Sequence, residues 1–157
     1  MLSTFIFLAT VLAGKLHDDN GFRGKTFGPA SVLDEAPMDG CVKNPEEGVL
    51  WTCKTTIGEY PVTTSYMASE GLFTGMVIAS SGYTTCEGIK DILTAAWGAP
   101  RQENPYIKTF TWSDSPVFAS WEMKYDDSCA VVIINLDVSM QAKASRENRA
   151  KNAVGDL

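Results

Sequence analysis

The sequence predicts an α+β domain in which helices lie on one face of an antiparallel sheet. Residues 117–125 and 129–138 alternate between two sets of side chains, as half-buried strands do. A short polar turn at 126–128 joins the two runs, which is typical of an antiparallel pair. Residues 84–97 repeat apolar side chains at helical spacing, so a helix precedes these strands in the chain.

The predicted helix at 84–97 has recognisable signals at both ends. Thr84 and Glu87 have the spacing of a capping box, in which the hydroxyl and the carboxylate each accept a hydrogen bond from a free backbone N–H. Gly98 is suited to a C-terminal cap, and Pro100 prevents the helix from continuing. We expect the apolar stripe of this helix to pack on the sheet. The stripe consists of Ile89, Ile92, Leu93, Ala96 and Trp97.

The first half of the chain resembles a rougher copy of the second. A strand at 107–112 completes the second half, which we place at 84–138. In the first half, placed at 22–80, a short helix at 29–38 precedes three further strands. These strands are predicted at 49–55, 60–68 and 72–79. The domain is interpreted as two tandem repeats of one helix and three strands, with a single unrepeated α+β unit as the alternative.

The chain begins with an uncharged, apolar leader. Residues 1–13 have the apolar run and the small-residue end of a secretory signal peptide, with cleavage after Ala13. The run is shorter than the roughly 20 apolar residues that span a membrane, so we expect no stable membrane insertion after cleavage. The expected domain then covers 14–138, and the protein is expected to be periplasmic or secreted. The alternative is that the leader is the first core element of a cytosolic protein.

Four cysteines follow the leader, as in many exported domains that disulfides stabilise. Four cysteines allow three connectivities. We favour Cys41–Cys53 and Cys86–Cys129, because each pair then lies within one half of the chain. No two cysteines have C-x-x-C spacing, so neither a thioredoxin-type redox motif nor a zinc knuckle is supported, and we expect no metal and no cofactor. The alternative is four buried free thiols in a cytosolic protein.

Common catalytic arrangements are poorly supported by the sequence. The one histidine, His17, follows the leader in a polar segment and is a poor candidate for a positioned base or a metal ligand. Carboxylates are plentiful, but most lie in predicted turns, where solvated acidic residues are expected. We therefore predict no catalytic residues. The alternative is a pair of carboxylates that converge in a cleft, as in glycoside hydrolases.

The net charge of −6 is unfavourable for binding nucleic acid, which requires clustered lysine and arginine. The clearest basic cluster lies in the C-terminal segment 139–157, which has helix-forming residues but no convincing apolar stripe. We interpret this segment as a solvated helical tail. A basic arm that docks on a partner or on an anionic surface is the alternative. The cluster consists of Lys143, Arg146, Arg149 and Lys151.

The large aromatic residues divide into a predicted core set and a predicted surface set. Tyrosine and tryptophan suit an interface because they combine a large apolar area with a polar group. The core set, expected between helix and sheet, consists of Trp97, Trp112 and Trp121. The surface set, which lies in the less regular half and is the candidate binding surface, consists of Trp51, Tyr60 and Tyr66.

Two short motifs resemble those of small exported bacterial proteins of uncharacterised function. The segment Phe22-Arg-Gly24-x-x-Phe27-Gly28 resembles their F-x-G-x-x-[FW]-G start. The segment Leu93-x-x-x-Trp97-Gly98-x-Pro100, followed by Trp112, resembles their L-x-x-x-[YFW]-G-x-P…W pattern. The helix-then-meander repeat also resembles the β-lactamase-inhibitor protein fold and the related small outer-membrane assembly lipoproteins. These resemblances imply a binding module rather than an enzyme.

The expected function is therefore that of an exported, non-catalytic module that binds another protein, such as an inhibitor or an immunity-type protein. Two alternatives come from different classes of function. One is a small carboxylate-dependent hydrolase, and the other is a structural protein of the cell envelope that acts through its C-terminal tail.

Overall fold

The computed structural model describes Leu16 and residues 20–22, 25–34, 40–44, 48–104, 106 and 108–155. The signal-peptide prediction for 1–13 and the role of His17 lie outside the described residues. The strands are β1 Gly21–Phe22, β2 Lys25–Thr26, β3 Gly28–Pro29, β4 Cys41–Lys43, β5 Gly48–Ile57, β6 Tyr60–Ser69, β7 Leu72–Ser81, β8 Arg101–Asn104, β9 Thr109–Asp114, β10 Val117–Met123 and β11 Ser128–Asn135. The helical elements are a 3₁₀ helix Ala30–Leu33, α1 Tyr83–Trp97 and α2 Leu136–Gly155.

One antiparallel sheet dominates the fold and confirms the predicted α+β class. Its strands lie in the order β4-β5-β6-β7-β11-β10-β9-β8, and β3 pairs with the start of β7. Each half of the chain is thus a meander preceded by a helical element, and the two meanders meet where β7 pairs with β11. Each meander has four strands rather than the predicted three, because short strands β4 and β8 form the two edges of the sheet.

The alternating sequence of β10 and β11 produces one fully buried face. Trp121 lies opposite Val131 and Ala119 lies opposite Ile133, and all four side chains are buried. Since consecutive strand residues point to opposite faces, the second set in β11 lies on the other side of the sheet, where its side chains are half-buried. This second set consists of Ala130, Val132 and Ile134.

Helix α1 packs on the buried face as the sequence predicts, but Ala96 of the predicted stripe is exposed. Its residues Cys86, Ile89 and Leu93 are buried, and the helix contacts β6, β7 and β11 on both sides of the junction between the two meanders. The predicted capping box is absent, because the helix begins at Tyr83 and its N-cap is Gly82, which has no side chain to accept a hydrogen bond. Glu87 instead forms an ion pair with Lys90.

The predicted tryptophan layer is confirmed. Trp121 is fully buried, and Trp112 is buried beneath the end of α1. The rings of Trp97 and Trp112 meet edge to face with centroids 5.6 Å apart, a favourable aromatic geometry. The indole Nε1 of Trp112 donates a hydrogen bond to the carbonyl of Gly98, 2.9 Å away, so the ring also holds the end of the helix.

The last strand ends earlier than predicted. The sequence pattern predicts that it continues to Val138, but β11 ends at Asn135 and helix α2 follows directly from Leu136. The buried Asn135 side chain accepts a hydrogen bond from the backbone N–H of Val138 at 3.0 Å, which is the role of an N-cap. Residues 143–153 of α2 are exposed. No helix among the described residues is long and apolar enough to cross a membrane.

Of the predicted short helix at 29–38, the described residues include the 3₁₀ helix Ala30–Leu33, and Pro29 belongs to β3. Residues 35–39 lie outside the described part of the chain. Leu33 is fully buried and belongs to the same apolar cluster as the residues of the main sheet. The N-terminal region therefore contributes to the core, and Leu16 and Phe27 are buried in the same cluster.

Both predicted disulfides are present. Cys41 and Cys53 are directly opposite each other on β4 and β5, whereas Cys86 and Cys129 join α1 to β11. The first bond spans 12 residues and the second spans 43 residues of sequence. In the loop-entropy description, these crosslinks contribute about 3 and about 4 kcal/mol to the free energy of unfolding.

We predict that the two disulfides differ in stability contribution and in access to reductant. The double variant C86A/C129A should lose about 4 kcal/mol of unfolding free energy in urea, against about 3 kcal/mol for C41A/C53A. Mild reductant should open Cys41–Cys53 first, because Cys41 is partly exposed while Cys86 is fully buried. Mass spectrometry after alkylation measures the order, and earlier opening of Cys86–Cys129 would contradict the prediction.

A second stability prediction concerns Gly88, where α1 crosses the ring of Tyr60. A Cβ atom at Gly88 would overlap the ring of Tyr60, so the glycine allows the ring to pack against the helix. Gly88→Ala should therefore lower the free energy of unfolding by about 1–3 kcal/mol through overpacking, despite the higher helix propensity of alanine. Urea denaturation measures the change.

The control for this prediction is the same substitution in a Tyr60→Ala background. Without the ring, Gly88→Ala should raise the free energy of unfolding by up to about 1 kcal/mol, since only the helix propensity remains. If Gly88→Ala changes the free energy of unfolding in the same direction in both backgrounds, the contact with Tyr60 is not the reason why position 88 requires glycine.

Candidate functional site

The predicted binding surface of Trp51, Tyr60 and Tyr66 is not an exposed aromatic surface. Tyr66 is only 4% exposed, so the expectation for this residue is wrong. Trp51 and Tyr60 are half-buried and pack against the core cluster. The reason is the strand register, which places Trp51 opposite Tyr66 on the side of the sheet that carries α1. The Tyr66 ring contacts Phe73, with centroids 5.8 Å apart.

Three other tyrosines are exposed at one end of the molecule. Tyr83 is 51% exposed at the start of α1, Tyr106 is 91% exposed in the β8–β9 loop, and Tyr125 is fully exposed in the β10–β11 turn. We call these three residues the tyrosine platform.

A cavity of about 620 Å³ lies beside the tyrosine platform, between the β8–β9 loop and the β10–β11 turn. Apolar, cationic and anionic side chains all contribute to its wall. The described residues that line it are Tyr106, Lys108, Glu122, Met123, Lys124, Tyr125 and Asp127.

The β10–β11 turn that carries Tyr125 has a well-defined geometry. The N–H of Asp127 donates to the carbonyl of Lys124 at 3.2 Å, and the N–H of Lys124 donates to the carbonyl of Ser128 at 2.8 Å. Asp127 has a φ of 57°, a left-handed conformation that aspartate and asparagine tolerate better than most residues. The turn is therefore a hairpin loop closed by a bulge residue.

The side chain of Asp126 stabilises the same turn. Its carboxylate oxygen Oδ1 accepts hydrogen bonds from the hydroxyl and from the backbone N–H of Ser128, the latter at 3.0 Å. Hydrogen bonds to the charged form lower the pKa of the Asp126 carboxyl below its usual value, and the charge of Lys124 adds a smaller effect in the same direction. The carboxylate is thus ionised, and the turn is held, throughout the neutral range.

Three contacts hold the segments of the tyrosine platform together. The N–H of Gly82 donates to the carbonyl of Asp127 at 2.9 Å, which joins the start of α1 to the β10–β11 turn. The N–H of Met123 donates to the carbonyl of Lys108 at 3.0 Å, which joins β10 to the β8–β9 loop. The Nζ atom of Lys108 lies 4.4 Å from the ring centroid of Tyr83, a cation–π contact.

The Cys86–Cys129 disulfide lies directly behind this site. Cys86 lies one helical turn after Tyr83 on α1. Cys129 lies on β11, shortly after the turn that carries Tyr125. The covalent bond therefore joins two of the three segments that carry tyrosines of the platform. This arrangement restricts the motion of the segments relative to each other.

The sequence pattern did not reveal these tyrosines as a group. Tyr125 continues the alternation of β10 and was therefore expected on the same face as Trp121 and Met123, but the strand ends at Met123. The neighbouring Asp126 and Asp127 are turn-forming residues, and they are the signal that Tyr125 lies in a turn.

Among the described residues, no group of three histidine, cysteine, aspartate or glutamate side chains is placed to hold a metal ion. Comparisons with models of protein families, with curated proteins and with solved structures find no match to this chain. The geometry and chemistry of the site therefore carry the functional interpretation.

We predict that Asp126 makes the turn sensitive to acid. Since its pKa is lowered in the folded protein, its contribution is present at neutral pH and is lost as the pH falls through that lowered value. The amide NMR signal of Ser128 should titrate with a midpoint below that of Asp126 in an unstructured peptide spanning 122–130.

The matched control for this titration is Asp126→Asn, in which the acid transition of the Ser128 signal should disappear. A midpoint in the folded protein at or above that of the peptide would contradict the hydrogen-bonded turn.

Proposed function

We propose that this protein is an exported, non-catalytic module that binds another protein through its tyrosine platform. The observation that carries the proposal is the exposure of Tyr106 and Tyr125 in the wall of one cavity, with the exposed Tyr83 beside Lys108 of the same wall. Tyrosine is enriched among the residues that dominate binding energy at protein interfaces, because it buries much area at little cost in conformational entropy.

The rigid support of the site is consistent with a role in binding. Asp126 stabilises the turn that carries Tyr125. The carbonyl of Asp127 in the same turn accepts a hydrogen bond from the N–H of Gly82, the N-cap of α1. A surface that is ordered before association loses less conformational entropy on binding than a mobile loop does. An inhibitor or an immunity-type protein would gain affinity from such preorganisation.

The proposed export rests on the two disulfides and on the expected leader. Disulfides persist in oxidising compartments and are rare in the cytosol. With both bonds present and all four cysteines paired, the domain is suited to the periplasm or to the extracellular medium. The leader adds independent support, since its composition is that of a secretory signal.

A partner-capture experiment tests the proposal. The disulfide-bonded protein is immobilised and exposed to a periplasmic extract, in parallel with the variant Y106A/Y125A. We expect the wild-type protein to retain a defined partner and the variant to lose it, because truncation of a tyrosine that dominates an interface costs about 2 kcal/mol or more, which is roughly a 30-fold loss of affinity.

The matched control is V42A/M140A, which truncates two exposed apolar side chains away from the tyrosine platform. This variant should retain the partner as the wild-type protein does. Equal retention by Y106A/Y125A, with circular dichroism showing that both variants are folded, would exclude the tyrosine platform as the binding surface.

The alternative function, a carboxylate-dependent hydrolase, is favoured by one observation. Glu122 and Asp127 both line the cavity of the tyrosine platform. Glycosidic hydrolysis requires one of two carboxyls to be protonated in an apolar environment. Both residues are exposed, so the binding role accounts better for the arrangement.

A further inference from the structure

We propose that the cavity beside the tyrosine platform binds an arginine side chain of the partner protein. This inference rests on the proposed function and names the chemical group that the site recognises. Four side chains would form the contacts: the rings of Tyr106 and Tyr125, and the carboxylates of Glu122 and Asp127.

The two aromatic rings suit a planar cation. A guanidinium group stacks on the face of a tyrosine ring, where the quadrupole of the ring attracts its charge. Tyr106 and Tyr125 come from different segments and line the same cavity. Both rings are at least 91% exposed before binding, so the contact buries apolar surface as well.

The two carboxylates supply the complementary charge. In the described part of the chain, neither Glu122 nor Asp127 lies within 4 Å of a lysine or arginine nitrogen. A guanidinium presents a fork of N–H donors that matches a carboxylate in a bidentate pair. Both acids can therefore accept hydrogen bonds from the incoming group without breaking an existing ion pair.

One of the two lysines of the cavity already has another interaction, because the Nζ atom of Lys108 lies over the ring of Tyr83. An anionic ligand would have to compete with this ring for Lys108. A cationic ligand leaves the contact in place, and the net charge of −6 attracts a basic partner over a longer range.

Arginine suits the site better than lysine for a geometric reason. Its planar group can stack on a tyrosine and donate two parallel hydrogen bonds to a carboxylate at the same time. A lysine ammonium is a compact, strongly hydrated charge that cannot form the bidentate pair.

The experiment is an NMR titration of the full disulfide-bonded protein with the tripeptide acetyl-Gly-Arg-Gly-amide. The comparison peptide carries citrulline, which has the shape of arginine without its charge. We expect the arginine peptide to shift the ring signals of Tyr106 and Tyr125 and the carboxyl signals of Glu122 and Asp127 in a saturable manner. The citrulline peptide should bind at least about tenfold more weakly.

The variant E122Q/D127N tests the carboxylates without changing the shape of the site. Asparagine tolerates the left-handed backbone at position 127, so the turn is expected to remain folded. Affinity for the arginine peptide should fall by about tenfold or more. The matched control E59Q/D91N removes two exposed charges elsewhere and should bind as the wild-type protein does.

Three outcomes would overturn the inference: no saturable shift at the tyrosine platform, equal binding of the citrulline peptide, or tighter binding of acetyl-Gly-Glu-Gly-amide, which would assign the site to an anionic group. If any of these is found while partner capture still depends on Tyr106 and Tyr125, the proposed function stands and only the arginine assignment fails. Loss of that dependence would refute the proposed function itself.

Discussion

The packing of α1 across the junction of the two meanders is the contact on which the rest of the structure depends. Among the described strands, the two halves pair with each other only where β7 meets β11, and α1 covers both of these strands. Ile89 and Leu93 belong to the same buried cluster as Trp121 and Ile133, so one apolar core unites the halves. The Cys86–Cys129 bond makes this contact covalent.

Much of this fold follows from local sequence patterns. Alternation in β10 and β11, helical spacing in α1 and the separation of the cysteines predict the sheet, its covering helix and both disulfides. The ends of elements are less predictable, because they depend on hydrogen bonds that periodicity does not encode. Asn135 shows this clearly: the apolar alternation continues past it to Val138, but its buried side chain caps a helix instead.

The site was less predictable than the fold, for a related reason. The exposure of a tyrosine depends on where its strand ends and on which neighbours cover it, and both are tertiary properties. Tyr66 is of a residue type that is common at interfaces, but it faces α1 and is buried. Tyr125 falls at a core position of the alternating pattern, but it lies beyond the end of β10 and is exposed. Its neighbours Asp126 and Asp127 indicate the turn, but no pattern indicates that Tyr83 and Tyr106 lie beside it.

The stability of the domain and the order of the site have a common origin. Tyr83 lies on the first turn of α1, and Tyr125 lies on the hairpin that leads into β11, so the contacts that hold α1 on the sheet also hold these tyrosines in place. Loss of the Cys86–Cys129 crosslink would leave the packing of α1 and the hydrogen bond from Gly82 to Asp127 to hold the helix and the turn together. Under the proposed function, an oxidising compartment would favour recognition as well as folding, because it preserves this crosslink.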